Sequence, residues 1–274
     1  MSNNKMHSNA LLMLNLGCGD RTHQSWINID YSLKARLKEL RILSPFIKPP
    51  NPPGYLNYDL RRGIPFNDSD VDVVYASHVL EHLEKSHALP FMEEIYRVLK
   101  PNGVIRIVVP DLEIAVKDYL DVLLELRQSA VVSQNLADRY EWATILLLDQ
   151  MVRTRPGGEM TGWLRSHNQS DFVQNMEGVF RFLADSGEGS PGYRVIRRIA
   201  QLLGLRKPSK TGELHRWMYD DISLERLFKM AGFSDVRRTS HTESRILSWE
   251  GYHLDNNQDG SAHQPGSIWM EGTK

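Results

Sequence analysis

The chain has 274 residues, of which 41% are hydrophobic, and its 33 basic and 34 acidic side chains give a formal net charge of −1. This balance argues against a broad nucleic-acid-binding surface, which needs a marked basic excess. A single cysteine excludes an internal disulfide framework, and the sequence has neither an apolar run of transmembrane length nor a signal-peptide pattern. We therefore expect a globular cytoplasmic protein with no transmembrane segment and no nucleic-acid partner.

Strand and helix patterns alternate in the first part of the chain. Residues 11–16 are continuously apolar, residues 26–31 alternate apolar with polar, and residues 71–76 and 104–109 are β-prone runs. A helix is predicted over residues 90–99, because its apolar residues share one face. This alternation predicts an α/β protein with a Rossmann-like, mostly parallel sheet that carries helices on both faces.

A Gly-x-Gly turn, Gly17 to Gly19, follows the first predicted strand, and Asp30 ends the second. Glycines there let a ligand lie against bare backbone, and an acid at the tip of the next strand can hold ribose hydroxyls. The run from Gly19 to Asp30 is shorter than a usual parallel crossover. We therefore expect an abbreviated first helix, or a loop in its place.

The alternation stops after residue 111 and resumes near His215. Helical patterns at residues 112–126 and 131–151 have no strand between them. The sheet pattern then returns as a helix at residues 223–230 and strands at 233–240 and 267–270. We predict a cofactor-binding core in residues 1–111, a helical insertion in residues 112–213 that serves as a lid, substrate surface or dimer surface, and the C-terminal part of the core in residues 214–274.

Five motifs follow one another in the order expected for one enzyme family. They lie at residues 14–19, 28–30, 59–66, 77–82 and 94–103. Together they resemble the class I S-adenosylmethionine-dependent methyltransferases, in particular their small-molecule, type 11-like branch and predicted methyltransferases of surface-polysaccharide biosynthesis. The tail at residues 224–233 is similar to the same branch. The resemblance covers about half of the chain and implies S-adenosylmethionine as the cofactor.

The resemblance also implies which residues hold this cofactor. The backbone of the Gly-x-Gly turn would pack against it, Asp30 would hold the ribose hydroxyls, and Asp59 would contact the adenine amino group. Ser77 and His78 would line the methionine side. The complete implied set is Asn15, Gly17, Cys18, Gly19, Asp30, Tyr31, Asp59, Leu60, Ser77 and His78. Asn15 stands where relatives often have an acid, and Arg21 stands where they have a third glycine.

The predicted reaction is methyl transfer to a small acceptor, a sugar or glycan hydroxyl that could be nucleotide- or lipid-linked. A hydroxyl benefits from a general base near neutral pKa, and the candidates are His82, His215 and Asp111. Methylation of a carboxylate or amine of another small molecule remains open. So does a non-catalytic cofactor- or partner-binding protein on the same fold. A homodimer is compatible with either function.

Two segments resemble metal sites of other protein classes. Residues 78–82 match the H-x-x-E-H pattern of an inverted zinc peptidase. They directly follow a predicted strand instead of lying within an established helix, so we predict no metal site. Residues 255–260 resemble the start of an EF-hand loop, but the twelfth position is Gly266 instead of glutamate. A surface turn is predicted there.

Three further features admit a structural and a functional interpretation. Cys18 is predicted to be a small turn residue and not a nucleophile, because no dedicated base is identifiable near it. The basic stretch at residues 194–210 suits a solvated helix face, or else a phosphate or membrane-surface contact. Five aromatic residues of the predicted insertion could form core or a sugar-stacking wall: Trp142, Trp163, Phe172, Phe180 and Phe182.

Overall fold

The computed structural model describes residues 11–31, 54–154, 157–174 and 214–274. Its strands are β1 (Met13–Leu16), β2 (Ile27–Asp30), β3 (Tyr55–Asn57), β4 (Val71–Ser77), β5 (Leu99–Pro110), β6 (Ser234–Thr239) and β7 (Ser267–Thr273). They form one sheet in the order β3-β2-β1-β4-β5-β7-β6. The first five strands are parallel, and β7 pairs antiparallel with both β5 and β6. The predicted Rossmann-like, mostly parallel sheet is confirmed.

Helices connect and cover these strands. The α-helices are α1 (Lys85–Val98), α2 (Leu112–Gln128), α3 (Gln134–Val152), α4 (Gly158–Ser166), α5 (Asp171–Gln174) and α6 (Asp221–Met230). Short 3-10 helices cover Leu60–Arg62, Leu80–His82 and Trp249–Tyr252. The helical patterns expected at residues 112–126 and 131–151 are confirmed as α2 and α3. None of the helices that the structure describes is long and apolar enough to cross a membrane.

Two predicted boundaries are wrong near α1 and β5. The helix starts at Lys85, so Pro90 lies inside α1 and not in its first turn. A proline removes one helical hydrogen bond, and the helix tolerates this at an exposed position. Strand β5 already begins at Leu99 and includes residues 101–103, which we expected to form a turn. Asn102 has a φ of 65°, and the β4–β5 register shifts beside it, so the turn residues form an irregularity inside the strand.

One face of the sheet packs against α1 and α6. Leu14 and Leu16 of β1 are fully buried against Ile95 of α1, in the same cluster as Phe228 of α6. Neighbouring residues in a strand point to opposite faces, so Met13 and Asn15 face the other side. Because both faces are covered, all four residues of β1 are buried. The continuous apolar pattern of this strand therefore reflects its central place in the sheet.

An aromatic cluster covers the opposite face. Trp26 packs edge-on against Tyr75 of β4 and against Trp249, with ring centroids 6.2 and 6.1 Å apart. Ile246 and Leu254 are buried in the same cluster. Among the residues described in the structure, an irregular C-terminal segment with a 3-10 helix therefore covers this face, where an α-helix would be usual.

A loop replaces the first helix, as predicted from the short run before Asp30. The Asn15 side-chain Nδ2 donates to the Arg21 carbonyl at 2.7 Å and to Oδ1 of Asn28 at 3.0 Å. Asn28 in turn donates to the Trp26 carbonyl at 2.9 Å. Two buried amides thus provide the hydrogen bonds that a helix would otherwise provide within its own backbone.

A buried ion network joins the sheet to the C-terminal segment. Arg106 of β5 has no exposed surface, and it donates to Asp255 and to Glu271 of β7, each at 2.8 Å. The Tyr75 hydroxyl donates to the other oxygen of Asp255 at 2.5 Å. The prediction of a surface turn at residues 255–260 is therefore wrong for its first two residues, Asp255 and Asn256, which are both buried. Asp255 is buried because it neutralises the arginine.

The helices after residue 111 enclose a small core of their own. Trp163 of α4 is 8% exposed and packs against Trp142 of α3 and Phe172 of α5. The Trp142 and Trp163 ring centroids lie 5.3 Å apart. These three aromatic residues pack against one another, as a core would. Phe180, Phe182 and the basic stretch at residues 194–210 lie outside the described residues.

A surface ion pair on α1 makes stability depend on pH. The hydrogen bond from Arg97 to Glu94 lowers the pKa of that carboxyl, and Glu94 also accepts from the Ile64 backbone at 3.1 Å. A depressed pKa in the folded state adds stability above the unfolded value of about 4.3, and this stability is lost as the pH falls through the folded value. We therefore expect the Tm of Glu94→Gln to fall less than the Tm of the parent protein when the pH is lowered below about 4.

The matched control for this prediction is Glu93→Gln, because Glu93 is an exposed neighbour on the same helix. Its profile of Tm against pH should follow that of the parent protein. Thermal unfolding monitored by circular dichroism between acidic and neutral pH measures both variants. Identical profiles for the Glu94 variant and the parent would contradict the assignment.

Candidate active site

The carboxyl ends of the parallel strands bring most of the predicted cofactor residues to one edge of the sheet. Gly17 follows β1, Asp30 ends β2, Asp59 follows β3, and Ser77 ends β4. Because β3, β2, β1 and β4 are neighbours in that order, these residues line one continuous edge. Ligands of open α/β sheets bind at this edge.

The Gly-x-Gly turn packs tightly at its first glycine and has space beside its second. Gly17 has a φ of 66°, and a Cβ atom there would clash with Cγ2 of Val79. Gly19 has a φ of 48°, and no atom of the described residues lies within 4 Å of the position that a Cβ atom would take. Glycine adopts such angles without strain. The turn therefore presents bare backbone with free space beside it, which fits an adenosine-containing cofactor.

The Asp30 carboxylate is held by the backbone around it. Its Oδ2 accepts from the Gly19 N–H at 2.8 Å, and its Oδ1 accepts from the Tyr31 N–H at 2.6 Å. A carboxylate has about four acceptor positions, so two remain for a ribose diol. Tyr31 is 47% exposed beside it. The fixed orientation of this acid fits the role that the sequence resemblance implies.

Asp59 caps the short helix Leu60–Arg62 and is already engaged. Its Oδ1 accepts from the Arg61 backbone at 3.1 Å, and the Arg61 guanidinium binds both carboxylate oxygens at 2.8 and 2.7 Å. The Arg61 side-chain hydrogen bond lowers the pKa of Asp59. An adenine amino group would therefore share this carboxylate with an exposed arginine.

Two residues of the implied cofactor set serve the turn itself. Burial, helped by the charge of Asp30, raises the pKa of the Cys18 thiol to about 12. Cys18 is thus a protonated, buried thiol, in agreement with its predicted role as a small turn residue. Asn15 is also buried, and its amide bonds hold the loop before β2.

The backbone is strained where β4 ends. His78 has a φ of 53°, an uncommon value for a residue other than glycine, and its N–H donates to the Val108 carbonyl at 2.9 Å. The His78 Nε2 lies 3.3 Å from the Ser267 hydroxyl. Backbone strain of this kind concentrates at functional sites. It turns the chain directly from the strand into the 3-10 helix Leu80–His82.

Three side chains form a compact cluster behind this turn. Glu81, His82 and His215 offer one ligand atom each, and all three atoms lie within 4.8 Å of one another. The His82 and His215 rings pack edge to face, with centroids 4.9 Å apart. The His78 Nδ1 approaches Glu81 Oε1 to 2.9 Å from the other side. The structure thus unites two of the three base candidates around a carboxylate that was not among the predicted site residues.

Backbone contacts bring His215 to the cluster. The N–H groups of Arg216 and Trp217 both donate to the Glu81 carbonyl, at 2.6 and 3.2 Å. The His215 N–H donates to the Gln150 carbonyl of α3 at 2.9 Å. The segment that returns to the sheet after the predicted insertion is thereby fixed against the end of β4. The H-x-x-E-H motif was the sequence signal for Glu81, although nothing in that motif indicates His215.

Burial and charge act in opposite directions on the pKa values of the cluster. Burial lowers the pKa of His215 to about 4, against the opposing effect of Glu81. For Glu81, burial would raise the pKa, but the neighbouring histidines, led by His78, outweigh it and lower the pKa. The cluster therefore holds a buried carboxylate and a neutral imidazole at neutral pH. Such groups accept protons or bind cations.

The third base candidate, Asp111, is engaged in a different way. One oxygen caps α2 by accepting from the Glu113 N–H at 2.9 Å, and the other accepts from Arg238 at 2.7 Å. Its backbone N–H donates to the Gly266 carbonyl. Both carboxylate oxygens thus hold elements together at the end of β5.

Residues 14–107, about a third of the chain, match a protein family described as a methyltransferase domain. No curated protein matches the chain. Among solved structures, a S-adenosylmethionine-dependent methyltransferase from Methanosarcina mazei is 14% identical, with a TM-score of 0.41, and the alignment covers 96% of this chain and 91% of that one. A S-adenosylmethionine-dependent methyltransferase from Mesorhizobium loti is 13% identical, with a TM-score of 0.38, and its alignment covers 96% of this chain and 91% of that one. One from Archaeoglobus fulgidus is also 13% identical, with a TM-score of 0.38, and its alignment covers 96% of this chain and 86% of that one.

The family match spans the strands and turns that form the cofactor edge, from β1 to β5. It includes the Gly-x-Gly turn, Asp30, Asp59 and the strained turn at His78. Residues 14–107 thus match a methyltransferase domain, and this match implies S-adenosylmethionine as the cofactor.

Proposed function

We propose that the protein transfers a methyl group from S-adenosylmethionine to a hydroxyl of a small acceptor, a sugar or glycan in free, nucleotide-linked or lipid-linked form. One observation carries this proposal. The edge that fits the cofactor ends, at Ser77 and His78, beside a buried cluster of imidazole and carboxylate groups. A hydroxyl acceptor needs such proton-accepting groups near its methyl donor.

The cofactor supplies a methyl group that is already activated on a sulfonium. The protein therefore contributes mainly alignment and the exclusion of water. In this proposal Gly17 and Gly19 place the cofactor against the turn, Asp30 binds the ribose hydroxyls, and Asp59 with Leu60 faces the adenine. Tyr31, Ser77 and His78 complete the site, while Asn15 and Cys18 maintain the shape of the turn.

His82 is the proposed proton acceptor, and His215 packs against its ring as the weaker base, because burial lowers the pKa of His215 to about 4. The His82 Nδ1 lies 3.1 Å from the Leu214 carbonyl, so it must be the donor in that hydrogen bond. The His82 Nε2 then carries the lone pair and faces the cluster. His82 would take up the proton that the acceptor hydroxyl loses when its oxygen bonds to the methyl carbon, the carbon–sulfur bond breaks and a neutral thioether leaves. Asp111 has less capacity to act as a base, because both of its oxygens hold other groups.

Residues 112–213 are proposed to cover the acceptor and to determine which acceptor binds. One contact supports this assignment: the N–H of His215, which follows this segment in the chain, donates to the Gln150 carbonyl of α3. The aromatic core around Trp163 gives the described part of the segment a shape of its own. Residues 1–111 and 214–274 form the cofactor-binding core in this proposal.

Cofactor titration and acceptor screening test the proposed function. Calorimetry should show binding of S-adenosylmethionine, and mass spectrometry of acceptor mixtures should show the gain of one CH₂ on sugars or nucleotide sugars. Absence of cofactor binding would refute the proposal. Methylation confined to amines or carboxylates would assign a different acceptor.

A variant of Asp30 tests the cofactor site directly. Asp30→Asn keeps one acceptor oxygen for the turn but removes the charge that faces the ribose. Hydrogen bonds to charged groups contribute about 1.5–3 kcal/mol, so we expect a roughly 10- to 100-fold rise in Kd for S-adenosylmethionine. Asp121→Asn removes the same charge from an exposed site on α2 and should leave this Kd unchanged. Equal affinities for the Asp30 variant and the parent would exclude the ribose contact.

A further inference from the structure

The Glu81 carboxylate has fewer partners than a buried charge requires. Its side chain has no exposed surface, and its Oε2 has no hydrogen-bond partner among the described residues. The His78 Nδ1 forms an ion-pair contact with Oε1 at 2.9 Å. Burying an ionised carboxylate without hydrogen bonds is costly. An unsatisfied group of this kind indicates an ion or water that belongs at the site.

The two imidazoles of the cluster present nitrogen atoms to the same space. The hydrogen bond from His82 Nδ1 to the Leu214 carbonyl fixes the tautomer and leaves Nε2 free, 3.9 Å from Glu81 Oε1. Histidines that bind metals are held in this way, with the second ring N–H donated to a carbonyl or carboxylate. The Nδ1 of His215 is also buried and has no hydrogen-bond partner within the part of the chain that the structure describes.

We propose that Glu81, His82 and His215 bind one divalent transition-metal ion, and that their chemistry suits Zn²⁺. Two histidines and one glutamate form the ligand set of many catalytic zinc sites, which keep a fourth position open. Zinc–ligand bonds of about 2.0–2.2 Å separate tetrahedral ligand atoms by roughly 3.3–3.6 Å. The present separations of up to 4.8 Å therefore need only small side-chain rotations to close around an ion.

This proposal differs from our expectation from the sequence, which predicted no metal. The H-x-x-E-H motif does not act here as in an inverted zinc peptidase, because His78 lies in the strained turn and not on the helix. The third ligand is instead His215, from the segment that returns to the sheet after residue 213. A role in the reaction rests on the proposed function: an ion at the open position would lower the pKa of an acceptor hydroxyl and facilitate its deprotonation. The lone pairs of His82 and His215 would then bind the ion, so the ion would replace the direct proton transfer to His82 that we propose for the metal-free protein. The metal binding itself does not depend on that function.

The test uses the full chain, purified without a histidine tag and freed of metal by a chelator. Titration with Co²⁺, followed by visible absorption, should show about one tetrahedral site per chain, and Zn²⁺ should compete for it. Glu81→Gln, His82→Gln and His215→Gln should each weaken Co²⁺ binding by more than about 100-fold, because loss of a supporting contact alone costs about 10- to 100-fold. His87→Gln replaces an exposed histidine on α1 and should bind like the parent.

Each outcome of this test has a defined meaning. Absence of Co²⁺ binding by the parent, or unchanged affinity in the His82 and His215 variants, would overturn the proposed metal site. Circular dichroism of the variants separates lost binding from lost folding, and His82→Gln is the variant best suited to fold because that side chain is partly exposed. Metal binding without any methyl transfer would leave the metal site intact and refute the proposed function. Methyl transfer by a protein that binds no metal would support the proposed function and refute the metal site.

Discussion

Replacing Arg106 with methionine is expected to lower the free energy of unfolding by about 3–5 kcal/mol. The substitution leaves Asp255 buried without its cation and Glu271 with the more distant Arg237, at 3.7 Å, while methionine retains much of the side-chain volume. Arg106 also donates to the Ser240 and Glu243 carbonyls, and its guanidinium lies 4.6 Å from the centroid of a Trp249 ring. Urea unfolding, monitored by tryptophan fluorescence, measures the loss.

Two comparisons isolate the cause of this loss. Arg62→Met changes an exposed arginine and should alter stability by no more than about 0.5 kcal/mol. Adding Asp255→Asn and Glu271→Gln to the Arg106 variant removes the unpaired charges and should recover part of the loss. If the free energy of unfolding of Arg106→Met lay within about 1 kcal/mol of the parent value, the network would contribute little to stability.

Replacing His82 with glutamine is expected to reduce kcat for methyl transfer by about 100-fold or more, with little change in the Kd for S-adenosylmethionine. Glutamine keeps a polar side chain of similar length, but it cannot accept a proton at neutral pH. The substituted side chain belongs to the cluster around Glu81 and not to the Gly-x-Gly turn, which we propose to hold the cofactor. Single-turnover rates and calorimetry, measured on the same preparation, separate chemistry from cofactor binding.

His87→Gln is the matched control for this rate measurement and should retain the parent rate. A parallel variant, His215→Gln, should resemble His82→Gln, because residues that act as a unit are not additive in their effects. The double variant should then be hardly slower than either single variant. Parent activity in His82→Gln would remove this imidazole from the mechanism.

Local patterns were sufficient to predict the mostly parallel sheet. The strands β1 and β4 are apolar runs followed by a glycine or a polar residue, so their carboxyl ends could be located from the sequence alone. The loop before Asp30 was predicted correctly because chain length limits a crossover. The beginning of β5 was missed because a proline, an asparagine and a glycine normally form a turn. Here they occur at an irregularity that the neighbouring strand accommodates.

Contacts between distant residues explain what the sequence could not show. Asp255 lies in a segment typical of a surface turn, and the buried Arg106 together with the Tyr75 hydroxyl makes its burial favourable. Glu81 belongs to a visible motif, but its environment depends on His215, which lies more than a hundred residues further along the chain. Identification of the two histidines as candidates was possible from residue type. Their convergence on one carboxylate requires the fold.

The chain leaves the sheet and returns to it at a single point. Asp111, at the end of β5, forms an isolated parallel bridge with Tyr219, and the Leu112 N–H donates to the Tyr219 carbonyl at 2.8 Å. Because the two ends of the excursion are joined in this way, its length and sequence can change without altering the strand order. Under the proposed assignment, evolution could exchange the part that selects the acceptor while the part that holds the cofactor stays the same.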